Sequence, residues 1–391
     1  MQSSSDFNLP MLMPEMLSVA SPMSKDLFWR HCDFKSLFNH HWSVVQSDHD
    51  FSDLILAEMD LSNAIVFVNG RYSDVFSNHD DTIQVTRSPS SNEKEQKDVK
   101  NYFRNVNTQC QAETYHLSFS QAISNQPLKI IHYIHADDPL VIPLNLKLTV
   151  KSGYKGSFEF QSISNTPHPV WINQCIDFNI ASDAQLSVYE LYDHAKNLKI
   201  THTSTISLDE RSYFKQFIAH KHFDFMYYQQ DVYLNDCMAQ WQCNGFIILK
   251  DQQKSHYRFK AHHIAKKTVS KQFMRALLSD ASFSLWDSSV VVYKGAKGTD
   301  SSQLNHNLLL GEKAKVHSIP ILEIDEDDVK SAHGSTVGAL DKAMLFYLQS
   351  RGLSAEQSLS LMKRAFIAEV IHNFDDQPNL HVLQKYLHQH S

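Results

Sequence analysis

From Leu186 onward the chain repeats one short pattern. Runs of alternating apolar residues begin near Leu186, Ile200, Phe214, Tyr228, Gln242, Tyr257 and Phe273, a spacing of roughly 14 residues. Each run is long enough for a single strand, and no helix-period segment separates them. Polar residues fill the gaps, among them Asp193, Asn197, Asp209, Asn235, Asp251 and Asp280. Upstream, LKIIHYI, LVIPLNLKLTV and GSFEFQSIS add three more strand-like runs within residues 128–164. Regular short strands build a sandwich, a barrel or a solenoid, and periodicity alone favours a β sandwich about as much as a β helix. Thr201, Thr203 and Thr205 share one face of their strand, a ladder-like pattern. With only 10 glycines in the chain, the turns are expected to use Asn, Asp and Ser.

The flanks read differently. Ser24–Asn39 places Leu27, Phe28, His31, Phe34 and Leu37 near helical spacing. Ala64–Tyr72 (AIVFVNGRY) is a buried-looking strand ended by a turn at Asn69-Gly70. Thr86–Lys100 is polar and charge-rich, the composition of a solvated linker. Beyond Leu340 the period becomes helical: Met344, Tyr347, Leu348 and Arg351 lie on one stripe, with Gly352 placed to end that helix. Ser354 and Gln357 form a capping-box pattern that opens a second helix, whose stripe is Leu359, Met362, Phe366 and Val370. A tight turn then makes the pair antiparallel. A last helix is expected over Asn379–His388.

Composition narrows the function. A net charge of -7 argues against a nucleic-acid scaffold, which needs a basic surface. No run approaches the length of a membrane span, and Met1–Pro22 carries Asp6 and Glu15 with no basic residue before Lys25, so no secretory signal is expected. The expected compartment is the cytoplasm. The five cysteines, Cys32, Cys110, Cys175, Cys237 and Cys243, form no CxxC pair and read as reduced, buried small side chains. The adjacent pairs His40–His41 and His262–His263 would aim their rings apart.

The usual catalytic motifs are missing. Without a GxxxxGK[ST] segment the chain should not bind ATP through a P-loop. Gly295-Ala-Lys-Gly298 reads as a loop, and Gly334-Ser-Thr-Val-Gly338 has its serine in the wrong place for a nucleophile elbow. The acidic run Glu323–Asp328 lacks the glycine and terminal glutamate of a calcium loop and reads as a solvated turn.

The most specific stretch is Asp300–Glu369. Asp300-Ser-Ser-Gln303 with Asn307-Leu-Leu-Leu310, Pro320-x-Leu322-Glu323, Asp327-Asp-Val-Lys330, His333-Gly334-Ser-Thr336-Val-Gly338, Phe346-Tyr347-Leu-x-Ser350-Arg351-Gly352 and Ala365-Phe366 with Glu369-Val370 occur in order. Together they resemble the carboxy-terminal region of the SufB/SufD family. Looser similarity covers Val66–Arg71, Trp29 and Asp33–Leu37, and the surroundings of His262–His263. The DDVK–HG–T–G arrangement resembles the SufD branch of that family more than the SufB branch.

The resemblance implies a mainly β fold: a right-handed parallel β-helix core (101–338) between an amino-terminal α/β domain with a polar linker (1–100) and a carboxy-terminal helical domain (339–391). It implies a non-catalytic scaffold for iron–sulfur cluster assembly. That scaffold would pair with a SufB-like subunit through the β helices and dock a SufC-like ATPase on the helical domain, with Tyr347, Arg351 and Phe366 as docking residues. His333 matches the family histidine at the SufB interface and is the expected iron or cluster ligand there; a turn histidine that only shapes the approach to the helices is the other reading. No cofactor is expected to bind this chain firmly by itself; a transient cluster would be shared with SufB, and a homodimer is open to the isolated chain. Two other functions stand beside this one. One is a purely structural adaptor that never touches iron. The other is a β-helix polysaccharide enzyme, which would need paired carboxylates on neighbouring coils.

Overall fold

In the computed structural model, residues 34, 37, 42–44, 60–80, 83–89, 101–120, 126–164, 166–193 and 197–374 are described. The expected helices over Ser24–Asn39 (Phe34 and Leu37 excepted) and Asn379–His388 lie outside them, as do Cys32, His40–His41 and residues 90–100 of the expected linker.

The described chain begins with β1 (Ser43–Val44), the hairpin β2 (Ala64–Val68) and β3 (Arg71–Tyr72), then β4 (Gln84–Ser88) and helix α1 (Tyr102–Gln109). Asn69 and Gly70 take φ of 46° and 79°, the two left-handed residues that a two-residue hairpin needs. Thr86–Ser88, read as linker, instead belong to β4, which pairs antiparallel with the next strand. Their polarity reflects an exposed sheet edge, where one side of the ladder has no neighbour to bury against.

Sixteen strands follow: β5 (Thr114–Phe119), β6 (Leu128–Ile134), β7 (Leu140–Val150), β8 (Lys155–Ser164), β9 (Val170–Ile180), β10 (Gln185–Asp193), β11 (Leu198–Leu208), β12 (Tyr213–Lys221), β13 (Phe225–Leu234), β14 (Gln240–Leu249), β15 (Lys254–His263), β16 (Val269–Leu278), β17 (Phe283–Val292), β18 (Thr299–Leu309), β19 (Lys315–Ile324) and β20 (Val329–Ala339). Odd strands from β5 to β19 pair in one parallel sheet, even strands from β6 to β20 in another. The chain therefore alternates between two sheets, and the cadence marks half a coil. The result is a parallel β-solenoid of about 7 turns, which resolves the sandwich-or-helix ambiguity: a sandwich would pair its sequential strands antiparallel. Two helices complete the described residues, α2 (Lys342–Ser350) and α3 (Ala355–His372).

Alternation sends every second side chain into the lumen between the sheets, where Ile172, Ile200, Met226, Phe214, Trp241 and Phe259 form part of one continuous core. The outward faces are clad by helices. On the odd sheet, Phe103 and Val106 of α1 pack with Val141, Trp171 and Tyr227. The threonine ladder lies under α1: Trp171 Nε1 donates to Thr201 Oγ1 at 2.8 Å, and Arg104, paired with Asp177, donates to Thr205 at 3.1 Å. On the even sheet, Ile367, Val370 and Ile371 of α3 pack with Phe374 on Tyr189, Phe217, Phe246 and Leu277.

One corner of six successive coils, from β7–β8 to β17–β18, turns on a residue in the left-handed region. Gly153, Asp183, Arg211, Met238, Lys267 and Gly298 have φ between 53° and 74°. Each donates its backbone N–H to the next coil, from Gly153 to Ser182 O at 3.1 Å through Lys267 to Lys297 O at 2.8 Å. The expectation of Asn, Asp and Ser at the turns holds for Asp183 here and for Asn197, Asp251 and Asp280 at the other corner, but not for Arg211, Met238 or Lys267. A left-handed conformation costs such residues roughly 1–2 kcal/mol, and the inter-coil hydrogen bond at the corner offsets it.

Candidate functional site

The last coil, β19 and β20, is where the solenoid meets solvent. Among the described residues no strand pairs with the outer edge of either. The expected solvated turn is present, since residues 325–328 link the two strands. By register the inward positions of β17, Trp286, Ser288, Val290 and Val292, continue into Ser318, Pro320, Leu322 and Ile324 of β19. Those of β18, Ser301, Gln303, Asn305 and Asn307, continue into Ser331, His333, Ser335 and Val337 of β20. Positions that are core in every earlier coil are therefore a surface here, and Ile324 and Val337 are 41% and 54% exposed. Four of these side chains, Pro320, Leu322, Ile324 and Val337, are apolar and lie beside two unpaired backbone edges, an arrangement built to be covered.

His333 sits in the middle of β20, opposite Gln303, and is exposed. It is a strand residue at the mouth of the lumen; the turn-histidine alternative misplaced it, because Gly334 and Gly338 look like turn signals but lie inside the strand. Beside it Ser331 and Ser301 share a hydrogen bond of 2.6 Å. Among the described residues no three of His, Cys, Asp and Glu are grouped closely enough to hold a metal. His333 therefore brings one imidazole to the mouth.

The helical hairpin is the second exposed apolar surface. Asp341 caps α2 by accepting from the Ala343 and Met344 N–H groups, and Ser354 with Gln357 forms the expected capping box of α3. Gly352, at φ 94°, ends α2. No residue of α2 is buried: Met344, Phe346 and Tyr347 are open to solvent, and the Arg351 guanidinium lies 5.2 Å from the Tyr347 ring. Phe366 differs from these two. It is half-buried, with its ring 4.4 Å from the Arg275 guanidinium of β16, and its carbonyl accepts from Arg275 Nη1 at 2.5 Å. Arg275 also pairs with Glu369, and Asn244 of β14 donates to the Val370 carbonyl at 3.1 Å. The stripe that α3 buries is Ile367, Val370 and Ile371. Of the expected stripe only Val370 is fully buried, because the sheet grips the helix one residue further round than the apolar count suggested.

A third feature lies inside the lumen and was missed by sequence reasoning. Glu190 of β10 is fully enclosed, accepting from Tyr228 Oη at 2.9 Å and from Gln216 Nε2. Gln216 and Gln230 exchange amide hydrogen bonds at 2.9 and 3.0 Å. His220 Nε2 stands 3.9 Å from Glu190, and its ring stacks on Tyr192 at 4.6 Å. His202 stacks on Tyr228 at 4.1 Å. Burial pushes the Glu190 carboxyl up to about 7 and holds the His202 imidazole down at about 3, so that ring is neutral. The available signal was parity: Glu190 shares its strand face with Val188, an inward residue.

The remaining candidates are structural. Cys175 and Cys243 are buried as expected, but Cys110 is only half-buried and Cys237 is exposed; burial raises the Cys110 and Cys175 thiols to about 12. His262 and His263 do point apart: His263 bonds Thr268 and Ser270 inside, while His262 stacks on Tyr233 outside. The carboxylates of the odd sheet are engaged, Asp177 with Arg104 and Asp287 with Arg258. No helix among the described residues is long and apolar enough to cross a membrane.

Comparison with known proteins agrees with this architecture. Residues 146–366 match the family described as SUF system FeS cluster assembly, SufBD core domain. Similar proteins include the iron-sulfur cluster assembly protein SufD of Escherichia coli (strain K12), 37% identical over 108 residues, which are 28% of this chain and 26% of that one. An iron-sulfur cluster assembly SufBD family protein of Mycobacterium leprae is 40% identical over 88 residues, 22% of each chain. The SufD of Bacillus subtilis is 30% identical over 125 residues, 32% of this chain and 29% of its own. The matched segments span less than a third of each relative's length. The family match, by contrast, covers more than half of this chain and includes both the open coil and most of the hairpin, and so the chain belongs to the SufBD core family of iron–sulfur cluster assembly proteins.

Proposed function

We propose that this chain is a SufD-type, non-catalytic scaffold subunit, whose open coil pairs with a SufB-like solenoid and whose helical hairpin docks a SufC-like ATPase. The observation that carries the pairing is the last coil: among the described residues, two unpaired strand edges flank core-type side chains with no next coil to cover them. A second solenoid presenting the same kind of end would continue both sheets and bury that row. The hairpin reading rests on the exposed stripe of Met344, Tyr347 and Arg351, with α3 fastened to the sheet behind it, so that a load on the hairpin reaches β14 and β16.

A nascent cluster is cargo in this scheme, held at the seam with His333 as one ligand and thiolates from the partner as others. Neutral imidazole suits iron. The adaptor reading also has an observation in its favour, since among the described residues His333 is the one inward imidazole of the last coil and no thiol stands beside it. Anaerobic reconstitution with SufB-like and SufC-like partners, followed by iron and sulfide analysis, separates the two. With a ligand role, His333→Ala lowers iron and sulfide content at unchanged complex mass and melting temperature, and His333→Cys restores part of the loss. Equal cluster yields from wild type and His333→Ala in intact complexes leave only the adaptor.

A further inference from the structure

Register gives the lumen a row of four polar residues, interrupted once by the buried thiol of Cys243. The inward residues Gln216 of β12, Cys243 of β14, Gln272 of β16 and Gln303 of β18 stand in line across consecutive coils, and His333 of β20 ends the line at the mouth. The first four are all buried. In the earlier coils the inward positions are chiefly Ile, Leu, Val and Phe. This row departs from that rule at β12, β16, β18 and β20, while Cys243 of β14 belongs to the apolar core.

Several of its hydrogen-bonding groups have no protein partner. Ser288 Oγ donates to Gln272 Oε1 at 2.7 Å and accepts from Gln303 Nε2 at 2.9 Å. That leaves Gln272 Nε2 and Gln303 Oε1 unpartnered, together with the Trp241 Nε1 donor one register position away on β14. Each unmade bond of this kind costs roughly 1–3 kcal/mol. A ligand for these groups must accept from an amide or an indole N–H and donate to an amide oxygen. Water has that chemistry, and buried water is what ordinarily satisfies such groups. At the inner end of the row Gln216 donates to Glu190.

We propose that the lumen from Gln216 to His333 holds a single file of water molecules, through which Glu190 exchanges a proton with solvent at the open coil. The file spans four strand spacings of about 4.8 Å, roughly 19 Å in all. In the outward step the Glu190 O–H bond breaks and the proton passes to the first water. Each water then gives one proton to the next, and a hydronium leaves at the mouth while the carboxylate stays behind, held by Tyr228 Oη and Gln216 Nε2. The inward step is the reverse, and no electrons move. The titratable groups around Glu190 are Tyr192 on its own strand, His202 of β11, His220 of β12, Tyr228 of β13, Cys243 of β14 and, through His220, Tyr257 of β15. The neighbouring strand β8 presents Phe160 to Glu190 by register. In its purpose, though not in its test, the inference rests on the assembly role: thiols and hydrosulfide release protons as they ligate iron, and the file would carry those protons from the seam to a buried acceptor.

The test uses the chain alone, so its outcome is independent of the assembly role. The carboxyl C=O band present in wild type and missing in Glu190→Gln is followed by infrared spectroscopy below neutral pH, and its deuterium shift is timed after a switch to D2O. Through a water file the band shifts at least tenfold faster than the core amides exchange, since those wait for the solenoid to open. Gln303→Leu, which plugs the row, slows the shift at least tenfold without abolishing the band. The inference is overturned if no such band exists, if it shifts in step with the core amides, or if a folded Gln303→Leu leaves the rate unchanged. The wild-type comparison stands alone should that variant not fold.

Discussion

Replacing Arg275 with Met should release α3 from the solenoid while leaving the coils intact. Methionine keeps the apolar stem against Phe273 and Phe366 but removes the guanidinium. That group donates to the Phe366 carbonyl from a side chain only 6% exposed, an interaction worth about 1.5–3 kcal/mol. Its position 4.4 Å from the Phe366 ring adds about 0.5–1 kcal/mol. The pair with Glu369 adds about 0–1 kcal/mol, because that carboxylate is half exposed to water. Together these give about 3 kcal/mol, roughly a hundredfold rise in local opening. Hydrogen–deuterium exchange read peptide by peptide checks it: amides of α3 should lose about two orders of magnitude of protection, whereas those of β10 to β18 keep theirs. Undiminished protection of α3 would show that Ile367, Val370 and Ile371 hold the helix unaided. An equal loss throughout the coils would show that helix and solenoid unfold as one unit, which would refute the picture of a separately fastened lever.

Glu190 should make stability fall as pH rises. Its carboxyl moves from an ordinary 4.5 to about 7 on folding, so the folded chain holds a proton that the unfolded chain has lost. The stabilisation is complete below about pH 4.5 and disappears as pH passes through 7, a change of about 3 kcal/mol at most. Denaturant titrations at pH 5 and pH 8 should show this difference in wild type and a smaller one in Glu190→Gln; identical slopes would contradict it. Gly245→Ala should cost about 1–3 kcal/mol, because a Cβ there would lie 2.4 Å from the Ile218 carbonyl oxygen; an unchanged melting temperature would mean that β12 and β14 separate freely.

How far the sequence carried the reading follows from particular residues. The strand cadence was legible because two-residue alternation survives wherever only one face of a strand is lumen. The choice between sandwich and solenoid was not, since both give the same alternation and differ only in which strand pairs with which. That is a long-range fact, supplied by resemblance to a family. Met238 and Lys267 could not be recognised as turn residues, because their left-handed backbone is imposed by a hydrogen bond from the next coil, not by their own preference. Phe366 looked like the centre of an apolar helix stripe, yet the sheet grips Ile367 and Ile371, and only the position of Arg275 explains why. His333 was found through its neighbours in sequence. Its place in the final strand, on the row that begins at Gln216, needed the coil register.

The uncapped coil has a thermodynamic consequence. A solenoid is close to a one-dimensional chain of units, each stabilised by its own folding and by contact with its two neighbours. Among the described residues the unit formed by β19 and β20 has one neighbouring coil, so it frays more readily than an interior coil. In the proposed pairing, a second solenoid stacked against it would restore the missing contact. The partner's concentration would then be a variable in the folding of this chain, and dissociation of the pair would amount to partial melting of its final coil. A ligand held on β20 would be ordered only while the two ends are joined, so that release of cargo and loosening of that coil would be one event.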